Sequence, residues 1–413
     1  MTHAGTPAPA TGKPLKIVIF PLGFGLAHVG RTVVIARALR DLGHDVVFAG
    51  EDPDHPRSKL DHAIAAGFRV VRAKEPQQHW AWDRFHDYGI WITLWDVLRT
   101  SEWAPLDQIV DDIIRVCHEE KPDLILGDAS VGVSTAGHIL GIPAAGVLNS
   151  YNAYFIRPWR FHWFLVYFLD RFILAPIRKR VYVKYGVKPV CAIRLLQNMP
   201  LLSPDLEAFH THHPGFAQWQ AIGPIVAEPP CELPPWFDEL SDGTPNIYIT
   251  MGSTGLLEGL LRRSYALFAT APYRFIVTTG GQVSEACMAE APANFRFATY
   301  APGSKLLEHC EAMVYHGGNG SMYQALAAGV PMVALPSHLE QKVCTLLLKQ
   351  HGFGLIGSGR HTGAAKLLRM INEVVENPEY RTNARRFSQD VLDSTAASKA
   401  AKILIDRAYR GKA

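Results

Sequence analysis

Residues 312–341 read AMVYHGGNGSMYQALAAGVPMVALPSHLEQ, an apolar run ending at Tyr315, then His316-Gly317-Gly318-Asn319-Gly320-Ser321, then a helical pattern. Glycines at a strand-to-helix turn let the backbone approach an anion closely, and the first N–H groups of the helix, at its positive end, have no partner within it. Such a turn can cradle a diphosphate, with the His316 imidazole and the Ser321 hydroxyl as further donors to its oxygens. A second constellation lies far upstream, where His28 follows Pro21-Leu22-Gly23-Phe24-Gly25-Leu26-Ala27 and Asp128 closes DLILGD. An imidazole titrates near neutrality and can take a proton from a hydroxyl, provided a partner such as a carboxylate fixes its tautomer and stabilises the cation formed. Taken alone, each element has a plainer meaning: a structural turn, a helix N-terminal histidine satisfied by backbone, and a helix-capping aspartate.

Other candidates point elsewhere. The loop after the first apolar run is not a dinucleotide fingerprint, because the third glycine of G-x-G-x-x-G falls on His28. His210-Thr211-His212-His213 has no carboxylate at ligand spacing and is expected to be a solvated loop, and Asp52-Pro53-Asp54 sits where a turn is expected. No metal site is expected. The six cysteines are scattered without a C-x-x-C pair, which fits free thiols in a reducing compartment, with the cytoplasm as default.

The elements that must position these groups follow an α/β rhythm. Leu15 to Phe20 is a buried strand, Val29 to Leu42 a helix closed by Gly43, and Val46 to Ala49 the next strand. The unit repeats at Asp123 to Gly127, Val131 to Leu140 and Ala144 to Leu148, so Asp128 emerges at the carboxyl edge of its strand. A second series comprises strands Asn246 to Thr250, Arg274 to Thr278, Ala312 to Tyr315 and Met332 to Leu335, with helices from about Gly255, Gly320 and Glu340. The stretch between, GPIVAEPPCELPPWFDELSDGTP, is rich in proline and acid and reads as a linker. The fold class predicted is α/β, two doubly wound Rossmann-like domains facing across a cleft. The expected division is a tail over 1–14, a first domain over 15–222, a linker over 223–245 and a second domain over 246–413, whose last helix can pack back on the first.

Composition bounds the partners. A chain of 413 residues with 48% hydrophobic and 19% charged residues can bury two large cores and is not disordered. A net charge of +3 without a basic run gives nucleic acid little purchase. The N-terminal stretch lacks the apolar segment of a signal peptide, and the most apolar stretch, Trp163 to Ala175, is interrupted by Asp170 and Arg171, so no membrane span is expected. Seven of the nine tryptophans fall in residues 80–163. They are core and helix faces, or an apolar substrate pocket, or, with Arg157, Arg160, Arg171, Arg178, Lys179 and Arg180, a peripheral membrane contact in segment 151–185.

Around the glycine-rich turn the chain resembles the family-1 glycosyltransferases, UDP-glucuronosyl/UDP-glucosyltransferase-like enzymes of GT-B fold. Their second domain carries a histidine, a glycine-rich loop, an acidic residue eight positions on, Gly-Val-Pro, and a terminal Pro-x-x-x-(Asp/Glu)-Gln. Here His316, Gly318, Gly320, Ser321, Gly329-Val330-Pro331, Pro336, Glu340 and Gln341 stand at matching spacing. The resemblance implies that His316 and Ser321, with Gly318, Asn319 and Gly320, hold the diphosphate of a nucleotide sugar, and that Glu340 and Gln341 bind the sugar hydroxyls. It also implies that Tyr300 of Tyr300-Ala301-Pro302 stacks on the base and that Gly252-Ser253 forms the other phosphate-side loop. His28 then deprotonates the acceptor, with Asp128 as its partner.

Two positions depart from the family: Gln324 replaces a glutamate that holds the ribose, and Gly303 replaces a glutamine, which leaves uracil or thymine open as the base. The implied activity is inverting, metal-independent sugar transfer from a UDP- or dTDP-sugar co-substrate, without a cofactor, to a hydroxyl of an apolar or aromatic small molecule, a natural product. Trp80, Trp82, Trp91, Tyr151 and Phe155 are the candidate acceptor residues. The alternatives are a lipid-acceptor enzyme at a membrane surface and a GT-B-like nucleotide-sugar epimerase. A degenerate binding partner is disfavoured by the number of separate roles still filled. The sugar and the oligomeric state are not legible in the sequence.

Overall fold

The computed structural model describes residues 13–55, 58–74, 104–128, 132–152, 175–190, 192–212, 216–228, 231–252, 254–337 and 339–411. The chain divides into two units, Met1–Ala227 with Thr395–Ala413, and Glu228–Ser394.

The first unit is built on a parallel sheet of seven strands: β1 Lys16–Phe20, β2 Asp45–Gly50, β3 Arg69–Arg72, β4 Leu124–Asp128, β5 Ala144–Val147, β6 Leu201–Ser203 and β7 Trp219–Ala221. Their order is β3-β2-β1-β4-β5-β6-β7. A strand covered on both faces must be apolar along its buried length, and IVIF of β1 and LILG of β4 are. Ile17 and Ile19 join Leu124 and Leu126 in a core on one face, while Val18 and Phe20 join Ile125 in a core on the other. Register pairs Ile19 with Leu126 and Phe20 with Gly127, which sets the loop after β1 beside the end of β4. Helix Leu26–Asp41 then begins at the carboxyl edge of the sheet. Helix Val133–Leu140 ends at Gly141, whose φ of 67° is the left-handed cap that glycine adopts without strain.

The last helix, Ala396–Arg410, turns Ala396, Ala400, Ala401, Leu404, Ile405 and Ala408 into the same core as Val29, Val33 and Ala36 of helix Leu26–Asp41. Its small residues allow close approach, and this burial joins Thr395–Ala413 to the first unit although the chain has by then traversed the second.

The second unit carries a six-stranded parallel sheet, β8 Asn246–Thr250, β9 Arg274–Thr278, β10 Phe295–Ala298, β11 Cys310–Tyr315, β12 Met332–Ala334 and β13 Gly354–Ile356, in the order β10-β9-β8-β11-β12-β13. Ile247, Ile249, Phe275, Val277, Val314 and Val333 share its core. The stretch read as a linker is divided between the units at Ala227 and Glu228. Its later part is pinned to the second unit: the Trp236 indole N–H donates to the Phe297 carbonyl at 3.0 Å, and Arg274 donates to the Glu239 carbonyl at 2.6 Å.

Candidate active site

In the first unit the sheet order brings the ends of β1, β4, β5 and β6 side by side, and a buried polar network occupies that edge. His28 Nδ1 lies 2.8 Å from Asp128 Oδ1, with the imidazole 26% exposed and the carboxylate fully buried. An ionised carboxylate only accepts, so Nδ1 carries the hydrogen and Nε2 keeps its lone pair. Gly25 makes room for the ring: a Cβ there would stand 2.6 Å from His28 Cδ2.

Asp128 has a second partner that sequence reasoning missed. Arg31, three residues after His28 and therefore on the same face of the helix, forks onto both carboxylate oxygens through Nε and Nη2. Burial alone would raise the Asp128 pKa, but the Arg31 charge and the hydrogen bonds of Arg31 and His28 outweigh it and hold the carboxyl below its usual value. The remaining guanidinium nitrogen, Nη1, donates to Asn149 Oδ1 at 2.7 Å, and Asn149 Nδ2 donates to Asp205 Oδ1 at 2.9 Å. Ser150 N and Ser203 Oγ donate to Asp205 Oδ2 at 2.7 and 2.6 Å. Asn149 follows β5 and Asp205 follows β6, so the carboxyl-edge rule that singled out Asp128 points to them too. Tyr151, a candidate acceptor residue, stands in the turn Ser150–Asn152 at the same edge and interacts electrostatically with Arg31.

In the second unit, helix Asn319–Ala327 opens after β11 with Gly318 as N-cap and no side-chain cap, so its positive end lies at the glycine-rich turn. His316 is wedged between two glycines: a Cβ on Gly318 would stand 2.3 Å, and one on Gly252 2.8 Å, from its ring. Gly252 also has φ +54°, so it suits glycine on both counts. Burial pushes the His316 imidazole down to about 4, against the pull of a hydrogen bond with the Thr250 backbone. It is therefore neutral at pH 7, and Nδ1 is buried with no hydrogen-bond partner. Backbone N–H groups at a helix start, an imidazole and the Ser321 hydroxyl are the kinds of group that a diphosphate takes.

Gln341, 7% exposed, packs its Cβ 3.4 Å from where a Gly317 side chain would begin, which brings the Glu340-Gln341 end of the motif to the His316 loop. Its carbonyl accepts from Ser337 N at 2.9 Å, so its amide N–H groups are what it can offer a ligand. Glu340 is partly exposed in the first turn of helix Leu339–His351, and Ser321 is partly exposed in the first turn of the helix Asn319–Ala327. Tyr300 is 51% exposed, as a stacking platform requires.

Gln324 faces a residue the sequence did not flag. Its Nε2 lies 3.4 Å from Glu228 Oε1, and Glu228 accepts from Ser304 N at 3.0 Å and Ser304 Oγ at 2.5 Å. A Cβ on Gly303 would lie 3.5 Å from both Gln324 Oε1 and Glu228 Oε1.

Trp80, Trp82, Trp91, Phe155 and Ser253 lie outside the described residues, as does most of segment 151–185. His210, expected on a solvated loop, is 9% exposed, because it packs edge-on at 4.8 Å from His212 and is covered by the fold, and burial lowers its pKa. Asp52 receives the Asp54 backbone N–H at 3.1 Å in a turn and pairs with Arg72 at 2.7 Å. Among the described residues, no helix is long and apolar enough to cross a membrane.

Residues 274–407 match the family model of the EryCIII-like C-terminal domain, described as erythromycin biosynthesis protein CIII-like. The chain is 25% identical to a PGL/p-HBAD biosynthesis glycosyltransferase of Mycobacterium tuberculosis over 397 residues, covering 88% of this chain and 86% of the relative. It is 26% identical to a PGL/p-HBAD biosynthesis rhamnosyltransferase of Mycobacterium bovis over 421 residues, covering 93% and 86%. Among solved structures, glycosyltransferase VinC in complex with dTDP aligns with a TM-score of 0.72 at 18% identity over 96% of this chain and 100% of that one. The spinosyn rhamnosyltransferase SpnG complexed with spinosyn aglycone aligns at 0.68 and 18% over 92% and 97%. Two parallel-sheet units of this topology are the GT-B fold, and the chain is a glycosyltransferase. Within that class its similarity is to family-1-like enzymes, and residues 274–407 are similar to the EryCIII-like C-terminal domain.

Proposed function

We propose that the enzyme moves a sugar from a dTDP- or UDP-sugar to a hydroxyl of an apolar or aromatic natural product, with inversion and without a metal. The observation that carries this is the 2.8 Å bond between His28 Nδ1 and Asp128, which leaves Nε2 basic on a partly exposed ring. Nε2 takes the acceptor proton as the acceptor oxygen forms its bond to the anomeric carbon. The bond from that carbon to the diphosphate oxygen breaks in line, and the diphosphate leaves with the electron pair. Its charge meets the positive N-terminal end of helix Asn319–Ala327 together with His316 and Ser321, an electrostatic role that a preorganised site performs without rearranging. Asp128 stabilises the imidazolium. The likeness to spinosyn rhamnosyltransferase SpnG bound to spinosyn aglycone and to glycosyltransferase VinC bound to dTDP supports the acceptor class and the donor nucleotide.

The test is a matrix of UDP- and dTDP-sugars against hydroxyl-bearing apolar acceptors, with and without EDTA, read by mass spectrometry and the anomeric NMR coupling. The expected result is one inverted glycoside, formed equally with EDTA. Conversion of a nucleotide sugar without acceptor would favour the epimerase, and retention of configuration would contradict the proposal.

A further inference from the structure

Arg31 poses a problem for a base at His28. Its Nη2 lies 3.0 Å from His28 Nδ1, and its guanidinium cancels the Asp128 charge that should stabilise the imidazolium. A proton arriving on His28 would then meet a neutral ion pair and a like charge. The network continues, however, through Asn149 to Asp205, and every member is withdrawn from water: Arg31 is 9% exposed, Asn149 4%, Asp205 1% and Ser203 0%. The Asn149 orientation is dictated by chemistry, since its carbonyl must face the Arg31 donor and its amide the Asp205 acceptor.

Counting charges gives the inference. With His28 neutral, Arg31, Asp128 and Asp205 sum to one negative charge, and the proton taken from the acceptor brings the network to neutrality. We infer that Arg31, Asn149 and Asp205 extend the His28–Asp128 dyad: Arg31 holds Asp128 in position, and Asp205 restores the negative charge that Arg31 cancels. All three are positioning residues, and the inference rests on His28 being the base. The other titratable groups at this edge are Tyr151, which interacts with Arg31, and His210, which interacts with Asp205 and Glu207. Burial lowers the Arg31 pKa, yet the charge of Asp128 and, more weakly, that of Asp205 raise it overall, so both carboxylates act on the same cation.

The test uses opposite signs. Asp205→Asn removes the restoring charge and is expected to move the acidic limb of the kcat/KM profile to lower pH by about 0.5–1 unit, while Arg31→Gln moves it up by about as much. The double variant returns it near the parent. Arg31→Lys, which keeps the charge and loses the fork, lowers kcat and leaves the limb in place, and it stands with Arg31→Gln as a test should Asp205→Asn fail to fold. The His28 imidazole is also titrated by NMR in each variant, which reads the network without turnover. Shifts of the same sign in Arg31→Gln and Asp205→Asn, or none in either, overturn the inference. A loss of the base assignment shows separately, as unchanged turnover in His28→Ala alongside opposite NMR shifts.

Discussion

The Glu228 carboxylate and the Gln324 amide meet at 3.4 Å across a separation of 96 residues, at the position where family-1 enzymes carry a glutamate on the helix itself. The negative charge missing from position 324 is thus delivered by another part of the same unit. Glu228→Gln keeps the shape and removes the charge. Since a hydrogen bond to a charged group contributes about 1.5–3 kcal/mol, the donor KM is expected to rise about tenfold or more with kcat little changed. Steady-state kinetics with varied donor checks this, and an unchanged donor KM would count against it.

Gly25 leaves no room for a side chain beside the imidazole. In Gly25→Ala the new Cβ would stand 2.6 Å from His28 Cδ2, so the ring must move. A misplacement of this order costs about 10²-fold in rate. The expected outcome is a fall of that size in kcat with dTDP affinity intact by calorimetry. A variant with parental kcat would show that the ring position is not limiting.

Gly318 guards the donor side in the same way, because its φ of −75° is open to any residue but a Cβ would lie 2.3 Å from His316 Nε2. Gly318→Ala is therefore expected to weaken dTDP binding at least tenfold without a backbone penalty. Calorimetric titration reads it directly, and parental affinity would contradict a diphosphate site at this turn.

Burial holds His316 at about 4 from an ordinary value of 6.5. Between these values the unfolded chain binds a proton that the folded chain refuses, so the stability from the neutral ring is full above about 6.5 and lost as pH falls toward about 4. Urea midpoints at pH 7.5 and pH 5 should differ less in His316→Asn than in the parent. His44, His210 and His351 are pushed the same way and remain in the variant, so the difference between the two proteins is the measure. An identical drop in both would refute it.

Central strands were legible in the sequence and edge strands were not. Asn246–Thr250 and Arg274–Thr278 coincide residue for residue with the apolar runs that foretold them. Missed were β3, β7, β10 and β13, which are the sheet edges, and the three-residue β6. An edge strand such as RVVR or WQA needs no continuous apolar run and leaves no signature in one. At the site, His28, Asp128 and the His316 turn could be read because each sits at a strand's carboxyl edge with its own local pattern. Arg31 reaches Asp128 across 97 residues and Asn149 reaches Asp205 across 56, pairings that only the sheet order creates.

The most direct measurement is turnover and dTDP binding of His28→Ala side by side. Removal of a general base costs about 10²–10⁴-fold in rate, so transfer should fall within that range while dTDP binds as in the parent. Transfer at the parental rate in this variant would contradict the assignment of His28 as the base.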